Sequence, residues 1–142
     1  MSKRRRANPN NKFVMLERWF WRCPAWQALP HPARSLYIEL EMLYDGQNNG
    51  SIEMGVRKAM RLLRSSVNFT RKMFTELEEK GFIKPNQRGS FSWKSRHETT
   101  WILTRYQLKD KRATSEYTRW RPAEKQNPVS LGDTDGIPGR YR

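Results

Sequence analysis

The sequence predicts an α+β domain, and three observations carry that expectation. Apolar residues recur at three- and four-residue spacing through three segments between Ala33 and Leu77, the period of an amphipathic helix. After Gly81 the pattern changes to the two-residue alternation of strands, as in Phe91 and Trp93 set between Ser90, Ser92 and Lys94. Between the first two helical segments, residues 45–50 (DGQNNG) concentrate turn formers just before Ser51-Ile52-Glu53, long enough for one short strand.

In chain order, residues 1–11 combine Lys3, Arg4, Arg5 and Arg6 with Asn and Pro and contain no acid, which describes a flexible basic arm. The next stretch holds Phe13, Val14, Leu16, Trp19, Phe20, Trp21 and Trp26 without a clean period. These aromatics are expected to cover the core. Pro32 marks the first turn of a helix whose Ala33, Leu36, Tyr37, Leu40, Leu43 and Tyr44 form one apolar stripe. A second helix over 56–63 places Val56, Ala59, Met60 and Leu63 on one face and Arg57, Arg61 and Arg64 on another. The third follows Arg64-Ser65-Ser66, with Ser66 as its cap and Gly81 as its stop. Within it Thr70, Met73, Phe74 and Leu77 repeat at i, i+3, i+4, i+7, while Asn68, Arg71, Lys72 and Thr75 repeat identically on the opposite side.

Strands are then expected at Phe82-Ile83-Lys84, around Phe91 and Trp93, and over 99–104, with a turn at Asn86-Gln87-Arg88-Gly89. The hairpin tip falls near Arg88 or near Arg96. Three helices, a short strand and a C-terminal β-hairpin, in this order, describe a winged helix-turn-helix over residues 12–106. An extension over 107–122 packs on or near the domain, and Pro- and Gly-rich residues 123–142 read as a disordered tail.

Charge says what such a domain binds. Lys and Arg total 28 against 14 Asp and Glu, a net charge of +14 that favours polyanionic partners. Residues 54–75 contain six Lys or Arg and no acid, whereas acids gather before Glu53 and at Glu76, Glu78 and Glu79. The expected partner is double-stranded DNA, with the third helix in the major groove. Asn68, Arg71 and Thr75 are the base-reading candidates, because Arg pairs with guanine O6 and N7 and Asn with adenine N6 and N7. Arg57, Arg61, Arg64 and Lys72 are assigned to phosphates. Arg88, Lys94, Arg96 and His97 extend the contact from the wing, and Lys3, Arg4, Arg5 and Arg6 reach a neighbouring minor groove.

The runs Gly46-Gln47-Asn48-Asn49-Gly50-Ser51-Ile52, Ser66 to Leu77-Glu78-Glu79-Lys80-Gly81-Phe82-Ile83, Arg88-Gly89-Ser90-Phe91 and Trp101-Ile102-Leu103-Thr104 occur here in that order. Together they make the chain resemble small winged-helix proteins of bacterial phages, plasmids and integrated elements. It is similar, more distantly, to amino-terminal domains of phage and plasmid replication initiators. The likeness spans roughly residues 12–122 and closes on Thr118-Arg119-Trp120-Arg121-Pro122; it departs at His31 and Gly55, where the family's helix starts often carry Ser. The resemblance implies DNA binding in transcriptional control or in replication initiation, as initiator or accessory factor.

Other classes find less support. No apolar run approaches the roughly 20 residues of a membrane span, and no apolar signal core follows the basic start, so a cytoplasmic protein without a membrane partner is expected. Cys23, His31 and His97 are too few for a structural zinc site and lack the neighbours of a nucleophile and base pair. The expectation is no enzyme, no metal, no cofactor and no small-molecule ligand. Asp133-Thr134-Asp135-Gly136 continues into Ile137 and lacks the Glu of a calcium loop. The alternative is an RNA-binding or ribosome-associated basic protein that stacks bases on Trp93 and Trp101. A third class is an interaction module that binds a protein through Trp19, Trp21 and Trp26. A homodimer on a two-fold site and a monomer on repeats both fit the DNA reading.

Overall fold

The computed structural model describes residues 13–92 and 95–123, of which 90–92, 95 and 96 are described by their backbone alone. Among the described residues the fold is α+β, with five α-helices, a three-stranded antiparallel sheet and a separate two-stranded hairpin. The order is α1 (Arg18–Arg22), α2 (Pro24–Gln27), α3 (His31–Leu43), β1 (Ile52–Glu53), α4 (Val56–Leu63), α5 (Val67–Glu79), β2 (Ile83–Gln87), β3 (Ser90–Ser92), β4 (Ser95–His97) and β5 (Thr100–Leu103). A 3-10 turn (Glu116–Thr118) follows.

Two helices are additional to the three marked by periodicity. α1 and α2 are five and four residues long and are separated by Cys23 in extended backbone, with Pro24 opening α2. Elements this short cannot establish a 3.6-residue period. They also divide the N-terminal aromatics. Phe20 and Trp26 are fully buried, whereas Trp19 and Trp21 stay 51% and 45% exposed, and Phe13 is exposed as well. The expectation that these rings all cover the core therefore holds for only part of the set.

The buried rings make one cluster. Phe20 lies 5.0 Å from Trp26, 5.2 Å from Tyr117 and 5.8 Å from both Tyr37 and Phe82. Tyr117, from the stretch after the sheet, stacks on Phe82 at 5.0 Å with the planes 9° apart. Aromatic contacts of this kind contribute about 0.5–1.5 kcal/mol each beyond area burial. A buried polar network lies beside them. Glu41 accepts from Tyr37 at 2.7 Å, Tyr106 at 2.6 Å and Arg105 at 3.2 Å, and Arg105 also reaches the Met15 carbonyl and the Glu17 carboxylate. The N-terminal segment, α3 and the end of β5 are thereby tied at one place.

The three-stranded sheet has the order β1-β5-β2, so the lone strand β1 pairs with the last one. The expected turn at Asn86-Gln87-Arg88-Gly89 is not there. β2 continues through Gln87, with an irregular register between Pro85 and Gln87, and pairing resumes at Ser90↔His97, so the chain reverses between Ser92 and Ser95. Gly89 serves close approach, since a Cβ there would stand 2.8 Å from the His97 carbonyl oxygen.

Candidate nucleic-acid interface

The site is built on α4, α5 and the hairpin, and its parts are held by identifiable contacts. α4 ends at Arg64, which closes the helix in the left-handed conformation (φ 51°). Ser66 then caps α5 by accepting the Phe69 amide at 3.2 Å. The buried Thr70 hydroxyl donates to the Ser66 carbonyl and lies 2.8 Å from the Ser65 hydroxyl, which fixes the turn from inside. At the other end, the Phe82 amide donates to the Leu77 carbonyl and the Gly81 amide to that of Glu78, with Gly81 at φ +83°. This is the paired closure that glycine permits after a helix.

Inward, α5 buries Thr70, Met73, Phe74 and Leu77 against its neighbours, α3 and α4. Phe74 stacks on Trp101 of β5 at 5.0 Å and 9°, and the Trp101 indole donates to the Met54 carbonyl. The helix and the strand that carries the hairpin therefore keep a fixed relation. Trp101 is itself buried, so of the two tryptophans expected to stack on RNA bases one is engaged in the core and Trp93 lies outside the described residues.

Outward, Asn68, Arg71, Lys72 and Thr75 are all exposed on the opposite face of α5. Arg57, Arg61 and Arg64 are exposed on α4 and the turn that follows it. Thr75 differs from the expected base reader in one respect, because its hydroxyl donates to the Arg71 carbonyl at 3.1 Å. It offers a lone pair and a methyl group to a ligand, and its proton stays in the helix. Lys58 on α4 is half-buried and is a further cation of the same acid-free run. The sequence signal for it was the acid-free run itself, but its position beside the packing face left it unassigned.

Ion pairing separates this surface from the far end of α5. Lys80 pairs with Glu76, Lys84 with Glu116 and Arg105 with Glu17 and Glu41. Arg57, Lys58, Arg61, Arg64, Arg71 and Lys72 form no ion pair with a described residue. Six cations on α4, the turn after it and α5, with no described carboxylate within ion-pair distance, raise the local affinity for an anion.

The hairpin residues divide. Arg88 is exposed and lies 3.7 Å from Glu78 of α5. His97 is half-buried, and its Nε2 lies 3.1 Å from the Arg88 carbonyl oxygen across the hairpin. Arg96 lies in β4 opposite Phe91. Lys94 and the arm residues Lys3, Arg4, Arg5 and Arg6 lie outside the described residues, as does nearly all of the stretch read as a tail. Sequence reasoning missed Glu98, whose side chain stands over the N-terminus of α4 with its Cγ 3.4 Å from where a Cβ on Gly55 would lie. A carboxylate there favours the start of a helix that has no side-chain cap. No signal links positions 43 residues apart before the strands are paired.

Among the described residues no group of three or more His, Cys, Asp or Glu is placed to hold a metal ion, and no helix is long and apolar enough to cross a membrane. In comparisons with known proteins, the chain matches no family model, no curated protein and no solved structure.

Proposed function

We propose that this chain is a double-stranded DNA-binding protein of the winged helix-turn-helix class, with α5 entering the major groove and the β-hairpin acting as the wing. The observation that carries the reading is the set of six cations on α4, the turn after it and α5, Arg71 among them, which form no ion pair with a described residue and share these elements with the exposed Asn68. Arg71 and Asn68 read base edges; Arg57, Arg61, Arg64 and Lys72 hold phosphates; Arg88 adds a contact from the hairpin. The sequence resemblance points to a regulator of transcription or a replication-initiation or accessory factor of a mobile element.

The test is a binding titration of the full chain against the DNA flanking its own gene, a scrambled duplex and RNA at two salt concentrations. Four or five phosphate contacts predict a log–log salt slope of about −4. The native duplex binds more tightly than the scrambled one, and Arg71→Ala removes that preference while leaving the salt-sensitive background. Equal weak binding to both duplexes with stronger competition by RNA overturns the assignment.

A further inference from the structure

The first turn of α5 exposes an apolar side chain on either side of Asn68. Val67 is 37% exposed and Phe69 40% exposed, and neither belongs to the buried core. At 100° per residue they stand on opposite flanks of Asn68. Side chains of a helix lean toward its N-terminus, so both project toward the end that leads into a groove. The cap from Ser66 to the Phe69 amide holds this turn in place.

Their surroundings choose the occupant. Arg64, Arg71 and Lys72 are exposed around the same turn and form no ion pair with a described residue. A surface that covers this turn must offer apolar groups on either side of a polar centre and an anionic rim. The major groove of a duplex has this arrangement where thymine occurs, since the C5-methyl group lies on the floor and phosphates line both walls.

We infer that Val67 and Phe69 are specificity residues that pack on thymine C5-methyl groups flanking the base pair contacted by Asn68. The inference rests on the proposed DNA reading and adds the target's chemistry. Sites bound tightly carry thymine on both sides of the Asn68 position, and Phe69 selects the methyl group, not the hydrogen-bonding edge.

The experiment uses duplexes enriched from a random pool by the full chain, then amplified with either dTTP or dUTP, so that the second set lacks every thymine methyl. Wild-type protein loses roughly fourfold in affinity for each methyl it covers. Phe69→Ala and Val67→Ala each bind the thymine duplex more weakly and lose part of the difference between the two sets; the double variant binds both sets alike. Both positions are exposed, and thermal melts of the variants verify folding. If wild-type protein enriches defined duplexes but binds the two sets equally, the methyl reading is overturned while the DNA reading stands. If the double variant keeps the full difference, the methyl groups act through duplex shape and the inference is likewise overturned. If no duplex is enriched at all, the DNA reading fails and takes this inference with it.

Discussion

Arg88 of the β-hairpin and Glu78 in the last turn of α5 face each other at 3.7 Å, the one ion pair among the described residues that joins the hairpin to this helix. At 70% exposure of the Arg88 side chain the pair adds little stability. Its value is positional, because it joins the stretch between β2 and β3 to the C-terminal turn of α5. On the proposed DNA reading, this carboxylate competes with the duplex for Arg88. Glu78→Gln is expected to leave the melting midpoint nearly unchanged and to raise duplex affinity several-fold, with a salt slope steeper by about one contact. Anisotropy titrations at three salt concentrations measure both.

Arg64 adopts φ 51°, a conformation that costs an L-residue about 1–2 kcal/mol. Glycine removes that cost but carries about 0.5–1 kcal/mol more backbone entropy. Arg64→Gly is therefore expected to keep or slightly raise stability in urea melts while weakening DNA binding. Opposite directions in the two assays separate its role as a helix stop from its role as a cation.

Glu41 and Arg105 are both nearly buried and are bonded to each other. Removing the carboxylate leaves the guanidinium without its main partner, so Glu41→Ala is expected to cost about 3–5 kcal/mol. Chemical denaturation measures it. The double variant Glu41→Ala, Arg105→Met is expected to recover a large part of that loss.

Burial first, and then the Glu41 charge, push the hydroxyls of Tyr37 and Tyr106 above the ordinary tyrosine value. Tyr44 and Tyr117 are raised as well, again mainly by burial. A raised value in the folded state means that the unfolded chain ionises first. The stability these groups contribute is complete below the unfolded tyrosine value of about 10 and declines as pH climbs above it. Urea midpoints are expected to drop between pH 9 and pH 11, and Tyr106→Phe should make the drop shallower.

Much of the candidate site was legible because it lies on two amphipathic helices whose stripes are separated by sequence alone. The span of α4 and the cap and stop of α5 at Ser66 and Gly81 follow from local chemistry that needs no tertiary partner. What escaped depends on distant contacts. The Glu41–Arg105 pair joins positions 64 apart, and Glu98 reaches α4 only once β5 has paired with β1. α1 and α2 were hidden by their length, and the hairpin reversal was masked by Gly89, which reads as a turn residue but permits close strand contact.

The central claim, that α5 reads the major groove, is tested most directly by guanine N7-methylation interference on a duplex enriched by the full chain. N7 lies in the major groove, beside the O6 that an arginine grips. The account predicts that methylation at discrete guanines abolishes binding, and that one of those positions loses its effect in Arg71→Ala. Binding that is indifferent to N7 methylation throughout would contradict it.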